Sequence, residues 1–408
     1  MNTSPTELRG KALYIQKFGQ KQYDTVMNHL LPPDTNPSTW SSTKKKTEQL
    51  KLRFWLVLLK AMVRLSTRKM GKRISHPVGI GARGTLKVSA SIHSTDLPLF
   101  EENESFDVIV RHSDLHQYDN ACNTGRGMSI KILDKEGQSV LDLLMNSGIY
   151  TTFWNIPTFF DFVKFRGAGE TSGNIGNYVK NNPFVLSDAY NRAETYSNLN
   201  YYSKLRYNCM TRKGKKMACQ FRCIAKGNTQ DPESTNTMTD VNGNWSNRRA
   251  KTDTRPYDFL LKEYANRLLQ GPVLYTLQVQ FKEILPEHHT FSRDLYYYNA
   301  VWDEPWMDIG EVSMKALLSG DETRELCYSI LNRPSWLTIP ESKSIADYCS
   351  PGVLREQVYQ AAHETRKLVY SKRLKKGTAS HFNYGTHTHP AEDGSNIKIK
   401  KKKSTLLL

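Results

Sequence analysis

The sequence predicts an α+β protein, a central antiparallel β unit with helices packed around it. Three observations lead there. Between residue 84 and about residue 285, segments of five to nine residues alternate or run apolar between Gly, Asn and Asp turns. Before, between and after them lie stretches with apolar residues at helical spacing. The hydrophobic share is 38%, with 21 Tyr and 15 Phe, enough for a large core.

Taken in order, residues 1–48 read as an N-terminal arm with one helix near Tyr14 to Leu31, followed by the Pro32-Pro33 pair and a Ser/Thr/Lys stretch. Residues 47–69 place Leu50, Phe54, Leu58 and Met62 at steps of four, the pattern of a buried or amphipathic helix. The predicted strands are Thr85–Ala90, Phe106–Val110, Met128–Leu133, Met217–Ala225 and Val273–Phe281. Helical patches interrupt them at Pro157–Phe165 and Pro256–Leu269. Residues 226–254, rich in Asn, Thr, Asp and Gly, read as a long excursion. After residue 300 the chain reads as loop and helix, with Pro351–Val369 opening on a proline and carrying no internal breaker. Beyond Lys376 the Gly, His, Asn and Lys tail reads as disordered. The expected division is thus an arm (1–48), a main domain (49–375) and a basic tail (376–408).

Several classes are set aside. The formal charge of +17 invites a nucleic-acid reading, but it is spread over small runs and no groove-reading motif accompanies it. An anionic ligand or an anionic membrane surface accounts for it as well, and the lysines at 398–403 with their trileucine end suit such a surface. The longest apolar run, Phe54 to Val63, is too short to span a bilayer. The N-terminus lacks a signal-peptide core, so the expected location is the cytoplasm, with membrane association. The six cysteines do not form zinc-site spacings; Cys219 and Cys223 read as reduced core thiols on one side of a strand.

The chemistry-bearing residues come in four places. The segment Arg73 to Gly84 combines two arginines, His76 and three glycines on the approach to a strand, and Arg73 with His76 could reach opposite ends of a flat anion. Arg111 lies near Ser113 at a strand end. Asn146 follows the apolar run Leu141 to Met145, where it could cap a turn or offer its amide to a peroxide. Arg355 and Tyr359 share one helical face, and a guanidinium beside a phenol favours the phenolate, a ligand for ferric haem. Arg366 and Tyr370 repeat that spacing, which does not choose between the two pairs.

Together and in this order, the motifs resemble the catalase superfamily: Arg73-x-x-His76-x-x-Gly79, Arg111-x-Ser113, Arg126-Gly127-x-x-x-Lys131, Asn146, then Arg355-x-x-x-Tyr359. Supporting segments include Leu144 to Gly148 with Phe153-Trp154-Asn155, Tyr201-Tyr202-Ser203, Arg255 to Tyr264, and Trp302-Asp303 with Pro305-Trp306. The likeness runs from about residue 12 to about residue 370 and is greatest to the coral-type allene oxide synthases, catalase-related haem enzymes that act on fatty acid hydroperoxides.

The resemblance implies a catalase-like antiparallel β-barrel with flanking helices and a buried haem b. It implies His76 as distal histidine, Asn146 as distal amide, and Tyr359 as proximal iron ligand held ionised by Arg355. Arg73 and Arg111 would meet the haem propionates, with Ser113 behind His76. Ser75 stands where true catalases carry an apolar residue, and its hydroxyl is expected to restrain His76 in favour of organic hydroperoxides. The implied activity is that of a hydro-lyase: O–O cleavage of a polyunsaturated fatty acid hydroperoxide, cyclisation of the alkoxyl radical, and proton loss to an allene oxide and water. A hydroperoxide lyase and a small intracellular catalase or peroxidase are the alternatives. A lipoxygenase would supply the substrate; the chain is expected to lack that domain, and an oligomer is left open. Ser147 stands where the family usually has Thr, and Asp119 to Asn123 replaces a more acidic stretch.

Overall fold

The computed structural model describes residues 14–375 apart from 17, 34, 116–118, 173–179, 187–192, 227–248 and 250–251. Most of the 226–254 excursion and the tail from 376 onward therefore lie outside the described residues. In chain order, α1 (Gln20–Leu30) and α2 (Ser42–Met70) precede four strands, β1 (Val78–Val88), β2 (Ser105–Asp114), β3 (Arg126–Leu133) and β4 (Ser139–Ser147). After α3 (Ile156–Ser172) come β5 (Tyr201–Tyr202), β6 (Tyr207–Met210) and β7 (Lys216–Ala225). Then follow α4 (Phe259–Gln270), β8 (Val273–Glu283), α5 (Arg293–Tyr296), β9 (Trp306–Leu317), α6 (Gly320–Glu325), β10 (Leu337–Thr338) and α7 (Ser350–Lys375).

Eight antiparallel strands close into a barrel in the order β7-β5-β4-β3-β2-β1-β9-β8, with β8 pairing back onto β7. The short strands β6 and β10 extend from one edge of β7. Because successive strand side chains point to opposite faces, one set fills the lumen and the other meets the helices. The lumen takes Val108 and Val110, Met128 and Ile130, Leu141 and Leu143 from the first strands, and matching residues from the rest. Arg111, Ser113, Lys131, Asp142 and Asn146 have the opposite parity and belong to the outer face.

Two expectations are corrected here. The first strand starts at Val78, not Thr85, so the glycine-rich segment is itself barrel wall. Glycine weakens the alternating pattern, yet Gly84 is needed where β1 and β9 come close: a Cβ there would lie 2.0 Å from the Ser313 carbonyl oxygen. The stretch after residue 300 is also not only loop and helix, because β9 closes the barrel between β1 and β8. Its alternation is broken by Gly310 and by register shifts on both sides.

Outside the barrel, α2, α3 and α7 share an apolar cluster of Leu52, Leu59, Ile156 and Leu354, with Phe159, Phe160 and Val358 at its margin. The expected inner face of α2 is displaced, since Leu50 and Phe54 are exposed while Leu52 and Leu59 are buried. The helix has apolar residues on two faces, so spacing did not determine which one packs inward. One continuous helix crosses residue 48, joining the N-terminal arm to the main domain. Ser41 caps its start by accepting from the Lys44 amide, and Gly71 in the left-handed region (φ 66°) ends it. The chain then turns toward β1, carrying Arg73, Ser75 and His76.

Candidate active site

The barrel register builds most of this site. Gly79 on β1 pairs with Ser113 on β2, Ser113 with Gly127 on β3, Gly127 with Asn146 on β4, and Asn146 with Tyr202 on β5. Directly opposed residues share a face, so Ser113, Gly127 and Asn146 form one row on the outer wall. His76 stands against this row just before β1. Its Nδ1 lies 3.2 Å from the Ser113 hydroxyl.

Gly127 makes room for the imidazole. A Cβ at that position would sit 2.9 Å from His76 Nδ1, 3.0 Å from its Cε1 and 2.8 Å from Ser113 Oγ. His76 also holds a left-handed backbone (φ 53°), which costs a non-glycine residue about 1–3 kcal/mol and is tolerated where surrounding contacts fix it. Arg111 supplies such contacts, donating to the carbonyl oxygens of His76 at 3.1 Å and Pro77 at 3.4 Å. Arg111 thus reaches the distal segment's backbone, whereas Arg73 donates to the Leu326 carbonyl oxygen.

Ser75 differs from its expected place. Its side chain is exposed, and the hydroxyl next to the His76 ring is that of Ser113. The left-handed turn at His76 separates the two neighbours, and sequence adjacency did not reveal it. Asn146 is half-buried, while the next hydroxyl, Ser147, accepts from the Arg126 amide at 3.1 Å.

The proximal candidates come from α7. Arg355 is buried and donates to the Ser203 carbonyl oxygen at 3.4 Å, with its guanidinium 6.0 Å from the Phe153 ring centre. Tyr359, one turn on, is half-buried and packs against the barrel's apolar residues. Both act on Tyr207, whose phenol is pushed up by burial while Arg355 opposes the rise and Tyr359 adds to it. One more turn along, His363 is lowered by burial and then by nearby cations, Arg73 among them. Tyr359 therefore lies on the stretch of α7 between the β5 end and the Arg73 link. Tyr370, with the same spacing from Arg366, instead accepts a hydrogen bond from Arg324 at 3.0 Å beside α6.

Behind the wall, at the end of the β2–β3 pairing, Asp114 and Arg126 form a fully buried ion pair at 2.5 Å. Tyr196 donates to Asp114 at 2.9 Å, and Arg126 reaches the carbonyl oxygens of Asn120 and Cys122 at 2.8 Å each. His112 points into the lumen with both ring nitrogens lacking a hydrogen-bond partner. It stacks on Tyr196 at 5.2 Å and meets Tyr264 edge-on at 4.7 Å. Burial, with Arg111 adding to it, lowers its pKa to about 3. Gly127 and the Asp114–Arg126 pair carry no role legible in the sequence, because both acquire one only through strand register.

The closed eight-stranded antiparallel barrel with flanking helices is the catalase fold. Two solved structures share it: a fungal catalase with TM-score 0.54, 17% identity, and coverage of 72% of this chain and 59% of that one, and catalase A from Saccharomyces cerevisiae with TM-score 0.53, 16% identity, and coverage of 81% and 72%. In sequence, the chain is 30% identical over 395 residues to the allene oxide synthase-lipoxygenase protein of Plexaura homomalla, covering 94% of this chain and 36% of that protein. It is 27% identical over 316 residues to the linolenate 9R-lipoxygenase of a Nostoc species, covering 72% of this chain and 38% of that protein. No family model matches the sequence. In fold the chain is similar to the catalases, and in sequence to the coral allene oxide synthase-lipoxygenase protein. It spans somewhat over a third of the length of these two relatives.

The residue types present could hold a haem. The donor set is a half-buried phenol on α7 and an imidazole and an amide on the barrel wall, all oxygen or nitrogen donors suited to ferric iron or to a bound peroxide. The absence of a side chain at Gly127 lets the imidazole lie against the wall.

Proposed function

We propose that the chain is a haem b-dependent hydroperoxide dehydratase, converting a polyunsaturated fatty acid hydroperoxide to an allene oxide and water. The carrying observation is the recess at Gly127, which positions His76 beside Ser113 in the same row as Asn146. The relationship to the coral allene oxide synthase-lipoxygenase protein supports the class of substrate, with a lipoxygenase as its source.

Haem, when bound, supplies the iron redox chemistry that breaks the O–O bond of the hydroperoxide. The chain's residues do the rest. Tyr359 would hold the iron, with the Arg355 guanidinium one turn away on the same helical face. Asn146 donates to the substrate's peroxide oxygen. His76 engages Ser113 through Nδ1 and exchanges the substrate proton through Nε2. Arg73 would take a propionate, and Arg111, which already steadies the His76 backbone, would take the other.

The exposure of Ser75 favours keeping a second reading, a small catalase or peroxidase, because the hydroxyl found at the imidazole is that of Ser113. Product analysis separates the readings. Incubation with 8-, 9-, 13- and 15-type hydroperoxides is expected to give the α-ketol hydrolysis products of an allene oxide from one regioisomer. Aldehyde fragments would indicate a hydroperoxide lyase. Dioxygen release from H2O2 faster than turnover of every lipid hydroperoxide would indicate a catalase and overturn the proposal.

A further inference from the structure

Helix α2 has two apolar faces, and only one is used. Leu52, Leu56 and Leu59 pack toward α3 and α7. On the opposite side, Leu50, Phe54, Val57 and Leu65 are 66%, 63%, 69% and 65% exposed. At 100° per residue these four fall within one sector of about 80°, diametrically opposite Leu59, and form a stripe along four turns. Scattered single apolar residues on a surface need no explanation, but an aligned stripe of four large ones does.

The charges around the stripe identify what it faces. Ser42–Met70 contains nine Lys or Arg and one acidic residue, Glu48. Glu48 is already engaged by Lys51 at 2.8 Å and by Ser344 at 2.6 Å. Arg53, Lys60 and Arg64 run along one flank of the stripe, Lys60 also reaching Gln357 at 3.4 Å and Arg64 reaching Glu364 at 3.3 Å on α7, and Lys51 and Lys69 run along the other. Two copies of this helix would bring like charges together, which disfavours self-association. An apolar stripe bordered by cations is the pattern of a helix lying in the interface of an anionic bilayer.

We infer that the outer face of α2 docks the protein on an anionic lipid surface, seating Leu50, Phe54, Val57 and Leu65 among the acyl chains with the flanking lysines and arginines at the headgroups. This surface does not include the lysines at 398–403, which lie outside the described residues, and it stands independently of the haem reading because its readout needs neither cofactor nor hydroperoxide. Docking there would bring the site to the phase in which a fatty acid hydroperoxide partitions.

Flotation of the full chain with vesicles tests this. Binding is expected with phosphatidylcholine containing phosphatidylserine and not with phosphatidylcholine alone, and added salt should weaken it. Leu50→Ser, Phe54→Ser and Val57→Ser combined should reduce partitioning by about a hundredfold or more. Arg53→Glu with Lys69→Glu should reduce it about tenfold or more. Thermal melting and haem content should be unchanged in both variants. Replacing the lysines at 398–403 by serine should leave most of the binding in place. Undiminished flotation of the triple serine variant would overturn the inference. So would a dimer of the unsubstituted chain that this variant dissolves, because the stripe would then be covered by a second copy.

Discussion

Replacing Gly127 by Ala adds one methyl group where the His76 ring already lies. The new carbon would be 2.9 Å from Nδ1, 3.0 Å from Cε1 and 2.8 Å from the Ser113 hydroxyl. Ordinary carbon–nitrogen contact begins near 3.4 Å, so the imidazole must retreat by about 0.5 Å. The backbone does not follow it, because Arg111 holds the His76 and Pro77 carbonyl oxygens. The 3.2 Å contact to Ser113 is therefore lost, at a net cost of about 1 kcal/mol. Misplacing a proton-transfer group by a fraction of an ångström to 1 Å costs up to about a hundredfold in rate. The expected result is a fall in kcat of about thirty- to a hundredfold on the lipid hydroperoxide. Haem content should remain, and the melting temperature should fall by only a few degrees. Ser113→Ala, which removes the partner without moving the ring, should cost about tenfold or less. Full activity in Gly127→Ala would refute the claim that the wall positions His76 for catalysis. Loss of haem together with activity would assign the glycine to cofactor seating instead.

Other consequences follow from the buried groups. Because burial holds the His112 pKa near 3 against 6.5 when unfolded, the unfolded chain binds the proton first as pH falls. The stabilising contribution is complete above pH 6.5 and declines toward pH 3, by about 2 kcal/mol at pH 5. His112→Phe, which keeps the ring and removes the titration, should flatten the acid limb of a denaturation profile; an unchanged limb would show that other groups set it. Arg126→Met should destabilise by about 3–5 kcal/mol by leaving Asp114 buried and unpaired, while Arg126→Met with Asp114→Leu should recover most of that loss in urea unfolding. All six cysteines are free in the structure, so thiol titration should find six after denaturation without reductant and few in the folded state, where all but Cys327 are buried.

The sequence announced the barrel through strands whose inward residues are large and outward residues polar, as in Phe106–Val110 and Val273–Phe281. It was silent where glycines and bulges erased that alternation, in the first half of β1 and throughout β9. Those two strands meet at Gly84, so the same glycine that permits their approach concealed them. The site residues His76, Asn146, Arg355 and Tyr359 were legible as motifs, but their assembly was not. Strand pairing puts Gly127 between Ser113 and Asn146 although they lie 14 and 19 residues away in the chain. The left-handed backbone at His76 was equally hidden, and it exposes Ser75; the hydroxyl beside the imidazole is that of Ser113, which the resemblance had placed behind His76. On α2, composition revealed amphipathicity, but only packing against α3 and α7 determined which apolar face remained outside.

The central claim is a ferric haem ligated by Tyr359, and the absorption spectrum of the purified, haem-loaded protein tests it most directly. The account predicts a high-spin ferric tyrosinate spectrum that Tyr359→Phe abolishes or shifts and Tyr370→Phe leaves unchanged. A protein that binds no haem, or a spectrum lost in Tyr370→Phe and retained in Tyr359→Phe, would contradict it.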